Sequence, residues 1–386
     1  MARKLLGAAC FLTTLISLPT IAAVETAKTD ATINSNSTPS ENRRTRSRLI
    51  EEVVVTAQKR EEDLQDVPIS IAAFSGDALD ARGAYNTKDL ALITPAVSIT
   101  EFGGFTFIYI RGIGSDSFIP SADPSVTTYV DGIYVPTSQG LVTSFGGVER
   151  VEVLKGPQGT LFGRNSTGGA ISVVTKKPSE EYDASLQLVK GNFNEERAKG
   201  FISGPITDWL AGSLDLLKDS IDHQYTHAAR ELDPERQKSV RARLVWYPTD
   251  NIDFDITYFK AEQDGQGSLL TKNINPSAVA GAALREAEDD YVADSDFPAA
   301  LIGSHEVLSA VLDWRLPWFD IKIIGSDQLI DTEYTAFDFD ATPTPVVAFE
   351  VKPSEYTDAK ISPKVAITVI GRLDENAPNS ARNSVS

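Results

Sequence analysis

Beyond Lys177-Pro178, apolar and polar residues alternate one for one. Tyr182, Ala184, Leu186 and Leu188 alternate with Asp183, Ser185 and Gln187, and Val240, Ala242, Leu244 and Trp246 with Ser239, Arg241 and Arg243. The same holds for Ile252, Phe254, Ile256 and Tyr258 around Asp253, Asp255 and Thr257, and for Leu308, Ala310, Leu312 and Trp314 around Ser309, Asp313 and Arg315. A period of two predicts strands with one apolar face. Gly204-Pro205, Pro248-Thr249-Asp250 and Pro317-Trp318 read as short turns, whereas the other connections are long and polar, the largest being 263–304. Strands of about ten residues with short turns at one end and long loops at the other fit a transmembrane β-barrel. Trp246, Tyr247 and Trp314 fall beside the short turns, where an interfacial girdle would lie. A water-soluble β-sandwich produces the same alternation, so this half alone leaves both open.

The N-terminus bears on that choice. Arg3 and Lys4 precede an apolar run from Leu5 to Leu18, which ends in Pro19, Thr20 and Ala22-Ala23. A basic head, a short apolar stretch and small residues make residues 1–23 a secretory signal peptide. The run is shorter than the roughly 20 residues of a membrane-spanning helix. Cys10 would suit a lipoprotein, but Gly7 stands where such a site prefers Leu. Cleavage near Ala22 or Ala23 removes the only cysteine. An exported chain without a long apolar helix is either soluble or built into a membrane as a barrel.

Composition excludes other classes. The 386 residues are 41% hydrophobic and 23% charged, which suits a folded chain of about two domains. With 36 Lys and Arg against 54 Asp and Glu the net charge is −18, the wrong sign for a nucleic-acid binder. One Cys, three His and one Met cannot build a zinc-ribbon, iron–sulfur or disulfide framework. Most of the negative charge, −17, falls after Pro178.

Between signal and strands lie two further regions. Residues 24–60 read as a flexible tether rich in Thr, Asn and Ser with a basic run at Arg43, Arg44, Arg46 and Arg48. Within it, Glu51, Glu52, Val53, Val54, Val55, Thr56 and Ala57 form a short β-prone segment without a local partner. It is either the first strand of the next domain or a strand kept free to add to another protein's sheet edge. Residues 61–178 read as a compact α+β unit. Strands are expected at Val67–Phe74, Phe105–Arg111, Thr127–Val130, Val148–Lys155 and Ala170–Thr175, with short helices after Ser75-Gly76 and over Thr87–Ile93, ended by Gly83 and Pro95.

Five stretches of this unit, in order, carry a family resemblance: E-E-V-V-V-T-A-Q-K-R (51–60), D-V-P-I-S-I (66–71), Y-I-R-G-I-G (109–114), V-D-G-I-Y-V (130–135) and V-E-R-V-E-V-L-K-G-P-Q-G-T-L-F-G-R-N-S-T-G-G-A-I-S-V-V-T-K-K-P (148–178). They resemble the plug domain of TonB-dependent outer-membrane receptors. The resemblance implies an α+β plug (61–178) followed by the antiparallel strands of a transmembrane β-barrel (179–370), with a polar tail at 371–386. It implies a receptor of the Gram-negative outer membrane that imports a scarce nutrient such as a ferric siderophore, in contact with outer-membrane lipid. Residues 51–57 would be the box engaged by a TonB-type periplasmic energy-coupling protein, and Arg111, Glu149, Arg150, Glu152 and Arg164 would hold plug against barrel. The alternatives are an exported soluble β-rich binding protein and a truncated product that transports nothing.

No catalytic, cofactor or metal site is expected. Gly112-x-Gly114 lacks a third glycine, Gly163 is followed by Arg164 and not by the Lys of a phosphate loop, and no G-x-S-x-G elbow occurs. His223 and His227 share helical spacing but sit in a loop without an adjoining Glu. A full receptor barrel has 22 strands, and residues 179–386 supply about seven to ten at roughly ten residues each plus loops. Convincing strands stop near Glu333, followed by one apolar run, Val365–Ile370, and a polar end. The expectation is an N-terminal portion of a receptor, forming an incomplete barrel.

Overall fold

The computed structural model describes residues 54–56, 62–65, 67–102, 105–115, 123–135, 147–179, 181–223, 226–227, 231–265, 292–293, 301–334, 336–338, 348–350 and 359–371. The signal and most of the tether, with Glu51, Glu52, Val53 and Ala57, lie outside them, as do most of the 263–304 connection and the polar tail.

The first β-elements are β1 (Val54–Val55), β2 (Glu62–Asp63), β3 (Ile71–Ser75), β4 (Val97–Phe102), β5 (Phe105–Ile110), β6 (Val126–Val130), β7 (Ile133–Val135), β8 (Val148–Lys155) and β9 (Gly169–Thr175). They form a five-stranded mixed sheet in the order β3-β8-β9-β6-β7, a β4–β5 hairpin and a β1–β2 pair. The β6–β9 pairing is parallel and the rest are antiparallel. β8 is buried without a break from Arg150 to Leu154, although Glu149, Arg150, Glu152 and Lys155 make half of it charged. Phe74, Leu79, Leu90, Ile110, Val151, Val153 and Ile171 fill one side, and Val55, Tyr129, Leu154, Phe162 and Ala170 the other. At Gly169 (φ +151°) a side chain would meet the Leu154 carbonyl oxygen at 2.3 Å, so the β8–β9 approach demands glycine.

The short helices follow their punctuation. Ser75 caps α1 (Gly76–Ala81), its hydroxyl accepting from the Ala78 amide, and Gly83 leaves the helix at φ +68°. α2 spans Leu90–Ile93 and a third helix, α3, spans Gly159–Phe162. The expected strand over Val67–Phe74 starts only at Ile71, because Pro68 has no amide proton to give a ladder.

The second region consists of long strands: β10 (Asp183–Lys190), β11 (Glu196–Thr207), β12 (Leu210–Ile221), then a short β13 (Thr226–His227), β14 (Glu235–Thr249), β15 (Ile252–Gly265), a short β16 (Val292–Ala293), β17 (Leu301–Arg315), β18 (Phe319–Tyr334), short β19 (Ala336–Asp338) and β20 (Ala348–Glu350), and β21 (Ala359–Gly371). The long ones pair antiparallel in the order β10-β11-β12-β14-β15-β17-β18-β21, with β10 and β21 as the sheet's edges. Two expectations need correction. Gly204-Pro205 is not a turn: β11 runs through it, and the chain reverses at Asp208-Trp209. Pro205 is tolerated because the ladder shifts register between Pro205 and Thr207. Nor do the strands stop near Glu333: β21 continues the sheet through Pro363, again beside a register shift, here between Ser326 and Gln328.

One face of this sheet carries buried Arg197, Asp215, Arg241, Arg243, Asp255 and Gln328; the other carries exposed Leu186, Leu188, Ile202, Leu214, Leu216, Leu244, Trp246, Ile256 and Leu308. On this apolar outer face, the charged residue bordering the apolar band is Lys190 on β10, Glu196 on β11, Lys218 on β12, Lys238 on β14, Lys260 on β15, Glu306 on β17 and Asp327 on β18. Paired by register, Lys190 faces Glu196, Lys218 faces Lys238 and Lys260 faces Glu306, each pair one row further along than the one before. The border thus moves two residues, roughly 6.8 Å, for every two strands, roughly 9.6 Å across. That slope is about 35°, the strand tilt of a membrane barrel. A level boundary cutting obliquely across tilted strands is what a bilayer surface imposes.

Candidate functional site

The β-prone segment of the tether is not free. β1 pairs antiparallel with β2, Val54 opposite Asp63 and Val55 opposite Glu62. Its partner is Glu62–Asp63, at the start of the compact unit, where no strand was expected. Val55 is fully buried, in the cluster with Leu154, Ala170, Tyr129 and Phe162. Next to it, the Thr56 amide and hydroxyl both donate to Glu152 Oε1, at 2.8 and 3.0 Å. Arg150 donates through Nε to the same oxygen at 2.9 Å and through Nη2 to the Thr56 hydroxyl at 3.3 Å. Glu152 is completely buried, and its Oε2 has no hydrogen bond among the described residues. A buried carboxylate is tolerable only when paired and hydrogen-bonded. Arg150 supplies the charge, and the docked strand supplies two of the three donors to Oε1.

The plug's charged residues have these partners among the described residues. Arg150 and Glu152 bond Thr56 within the plug. Arg111 donates to the Ser70 hydroxyl at 2.7 Å, also within the plug. Arg164 is largely exposed and lies 3.6 Å from Asp123. Glu149 pairs with Arg150 and also acts electrostatically on a barrel residue, Arg243.

The groups that do cross between the regions were visible in the sequence only as polar members of an alternating strand. On β14, Arg243 donates through Nε and Nη2 to Asp255 at 2.7 and 2.5 Å. Through Nη1 it reaches the plug, bonding the Thr175 hydroxyl at 3.1 Å and the carbonyls of Thr175 and Lys176 at 3.3 Å. Thr175 is in turn held by Asp131, whose carboxylate accepts from its amide at 2.8 Å and its hydroxyl at 2.6 Å. Asp131 adopts φ +50° in the β6–β7 turn, which aims its side chain across to β9. A continuous polar chain therefore runs Asp131–Thr175–Arg243–Asp255.

Further contacts surround it. Lys199 on β11 pairs with Asp80 of α1 at 2.8 Å. Arg197 and Lys199 both lie over the Tyr85 ring, at 3.8 and 4.8 Å from its centroid. Gln328 on β18 donates to the Tyr134 carbonyl at 3.0 Å. At Gly147 (φ +57°) a side chain would meet Asp215 Oδ2 at 2.3 Å, so the plug backbone presses directly on a barrel carboxylate. Within the plug, Tyr129 donates to the Phe162 carbonyl, and burial pushes its phenol up to about 12, with the neighbouring Tyr134 adding to the shift. Lys155 is lowered by burial and then by Arg111.

Comparison with known proteins meets this architecture directly. Residues 63–170 match the TonB-dependent Receptor Plug Domain family. Over 192 residues the chain is 30% identical to the iron-regulated outer membrane virulence protein of Vibrio cholerae, covering 45% of this chain and 29% of that one. Over 172 residues it is 32% identical to the pesticin receptor of Yersinia pestis, covering 44% and 25%. The solved ferric yersiniabactin uptake receptor FyuA of Yersinia pestis superposes with a TM-score of 0.60 over 69% of this chain and 42% of that one, at 22% identity, a likeness of fold. The chain thus spans less than a third of the length of these curated relatives. Its residues 63–170 are similar to that plug-domain family, and the antiparallel strands that follow share the fold of the solved receptor.

Proposed function

We propose that the chain acts in TonB-dependent uptake across the outer membrane, with an iron complex such as a ferric siderophore as cargo. Residues 51–57 are the segment engaged by a TonB-type periplasmic protein, and the signal peptide delivers the chain to the Gram-negative outer membrane. The observation that carries this reading is the docked strand: Thr56 sits at the end of a tether yet completes the solvation of Glu152 on an inner strand of the plug. A pull on the tether therefore loads β2 through the β1 pairing and β8 through Thr56. The relatives' names point to iron: one is iron-regulated and the fold neighbour takes up ferric yersiniabactin.

The test uses the full chain. It should sediment with outer membranes and resist urea extraction, and the purified protein should bind the periplasmic domain of a TonB-type partner. Val55→Pro should abolish that binding, since proline removes a donor from the strand the partner would pair with. A urea-soluble periplasmic product without affinity for the partner would favour the exported soluble binding protein instead.

A further inference from the structure

Glu152 stands at the centre of the β3–β8 ladder. Ala73 faces it in register, midway between the end pairs Ile71 with Leu154 and Ser75 with Arg150. β3 is an edge of the mixed sheet and pairs with β8 alone. On the other side of β8, Ser172 of β9 faces Glu152. Side chains two residues apart share a face, so the carboxylate lies on the face of Leu154, beneath the docked strand. There Val55 clusters with Leu154, Ala170 and Tyr129, and Ile71 and Ala73 pack against them.

Three donors reach Glu152 Oε1, two from Thr56 and one from Arg150, while Oε2 has none among the described residues. When β1 withdraws, only Arg150 of the three remains. An apolar groove that loses its strand stays dry, whereas a carboxylate short of donors draws water in. That water arrives at the middle of the shorter of the two ladders that β8 makes. The two flanks of β8 are also held to the barrel separately. β3 leads through Ser75 into α1, whose Asp80 bonds Lys199. β9 ends on Thr175, which bonds Arg243.

We propose that Glu152 is the trigger that opens the plug along the β3–β8 seam. Withdrawal of β1 brings water to its carboxylate, and β3 parts from β8 while Lys199 and Arg243 keep the two flanks on the barrel. In the docked state Arg150 balances the charge and Thr56 fills the place of water, so the ion pair is silent until the tether moves. This trigger presupposes the engagement of residues 51–57 proposed above.

The experiment follows hydrogen exchange in the reconstituted full chain, with and without the periplasmic domain of a TonB-type protein. With the domain bound, the amides of Ile71–Ser75 should exchange about a hundredfold faster, reflecting the loss of two hydrogen bonds to a charged group, and those of Gly169–Thr175 less than about threefold faster. The double variant Arg150→Met, Glu152→Leu replaces the ion pair by apolar side chains, a change that is often neutral for stability. It keeps β1 and should bind the domain as the parent does, with β3 accelerated less than about threefold. Glu152→Gln, which keeps the shape without the charge, should show about tenfold. Thr56→Pro removes both Thr56 donors without the domain, and Val55 already has the extended backbone that a residue before proline needs. It should speed β3 about tenfold in the parent and less than about threefold in the double variant. Domain binding that leaves β3 protected in the parent, or that opens β3 equally in the double variant, overturns the inference alone. Absence of domain binding overturns the coupling reading, and Thr56→Pro then decides the inference: equal acceleration in both backgrounds overturns it.

Discussion

The plug and the long-stranded sheet are built by opposite rules from similar residues. In the plug, apolar side chains point inward and charges at the centre are rare and paired, as Glu152 is through Oε1 with Arg150 and Thr56. In the sheet, the buried face holds Arg241, Arg243, Asp215 and Asp255 while leucines and tryptophans face outward. The first arrangement is driven by removal of apolar surface from water; the second stands only if its outer face meets lipid and its inner face meets the plug. Burial therefore means different things in the two halves, and equal substitutions should have unequal effects.

The largest difference is expected for charge. Arg243→Ala strands Asp255 in a buried site and removes the bonds to Thr175 and Lys176, costing about 3–5 kcal/mol. Arg315→Ala breaks the exposed Arg315–Asp253 pair (2.7 Å) and should cost below about 1 kcal/mol. Denaturant melts of the reconstituted chain read both, and equal shifts would break the contrast between lumen and rim. Next is apolar truncation. Leu154→Ala, at 0% exposure in the plug, should cost about 2–5 kcal/mol. Leu188→Ala, at 72% exposure on the outer face, should leave plug stability unchanged. Plug unfolding followed by hydrogen exchange separates them.

A smaller effect is expected at the dock. Thr56→Val removes one donor to Glu152 and should raise hydrogen exchange at residues 54–56 by about tenfold, from a loss of about 1.5 kcal/mol for a hydrogen bond to a charged group. Exchange in β14 and β15 should not change. The smallest concerns pH. Tyr129 is raised in the fold, so its contribution is complete below about 10, the unfolded value, and is lost as pH climbs towards about 12. Tyrosinate absorbance near 295 nm, with Tyr129→Phe as reference, should show one phenol titrating late; a normal titration would place Tyr129 in water.

Legibility differed between the regions for physical reasons. The alternation Val240 to Trp246 marked β14, and the run Val148–Lys155 marked β8 to the residue, because local pattern and tertiary burial agree there. β4 and β7 were not foreseen: Val97–Phe102 mixes Ser98, Thr100 and Glu101 into a hairpin strand, and Ile133–Val135 is too short for periodicity to register. The turn misplaced at Gly204-Pro205 shows why glycine and proline are imperfect punctuation: a bulge accommodated them, and Asp208-Trp209 made the reversal. For the site, a charged residue's type does not reveal its partner. Arg150 and Glu152 stood in the motif and Arg243 stood in an alternating strand, but which of them touches the other region depends on the strand order β3-β8-β9-β6-β7.

The sequence by itself determined the class of chain: period-two strands, a glycine-rich unit with its ordered motifs, and a preceding β-prone segment. Each is a local pattern, fixed by which side chains follow one another. The tertiary structure alone decided that Val55 is buried, that Thr56 completes Glu152, and that Arg243 joins plug to sheet. It also decided that Lys218 stands opposite Lys238, because each of these depends on register between segments tens of residues apart, which no local propensity encodes.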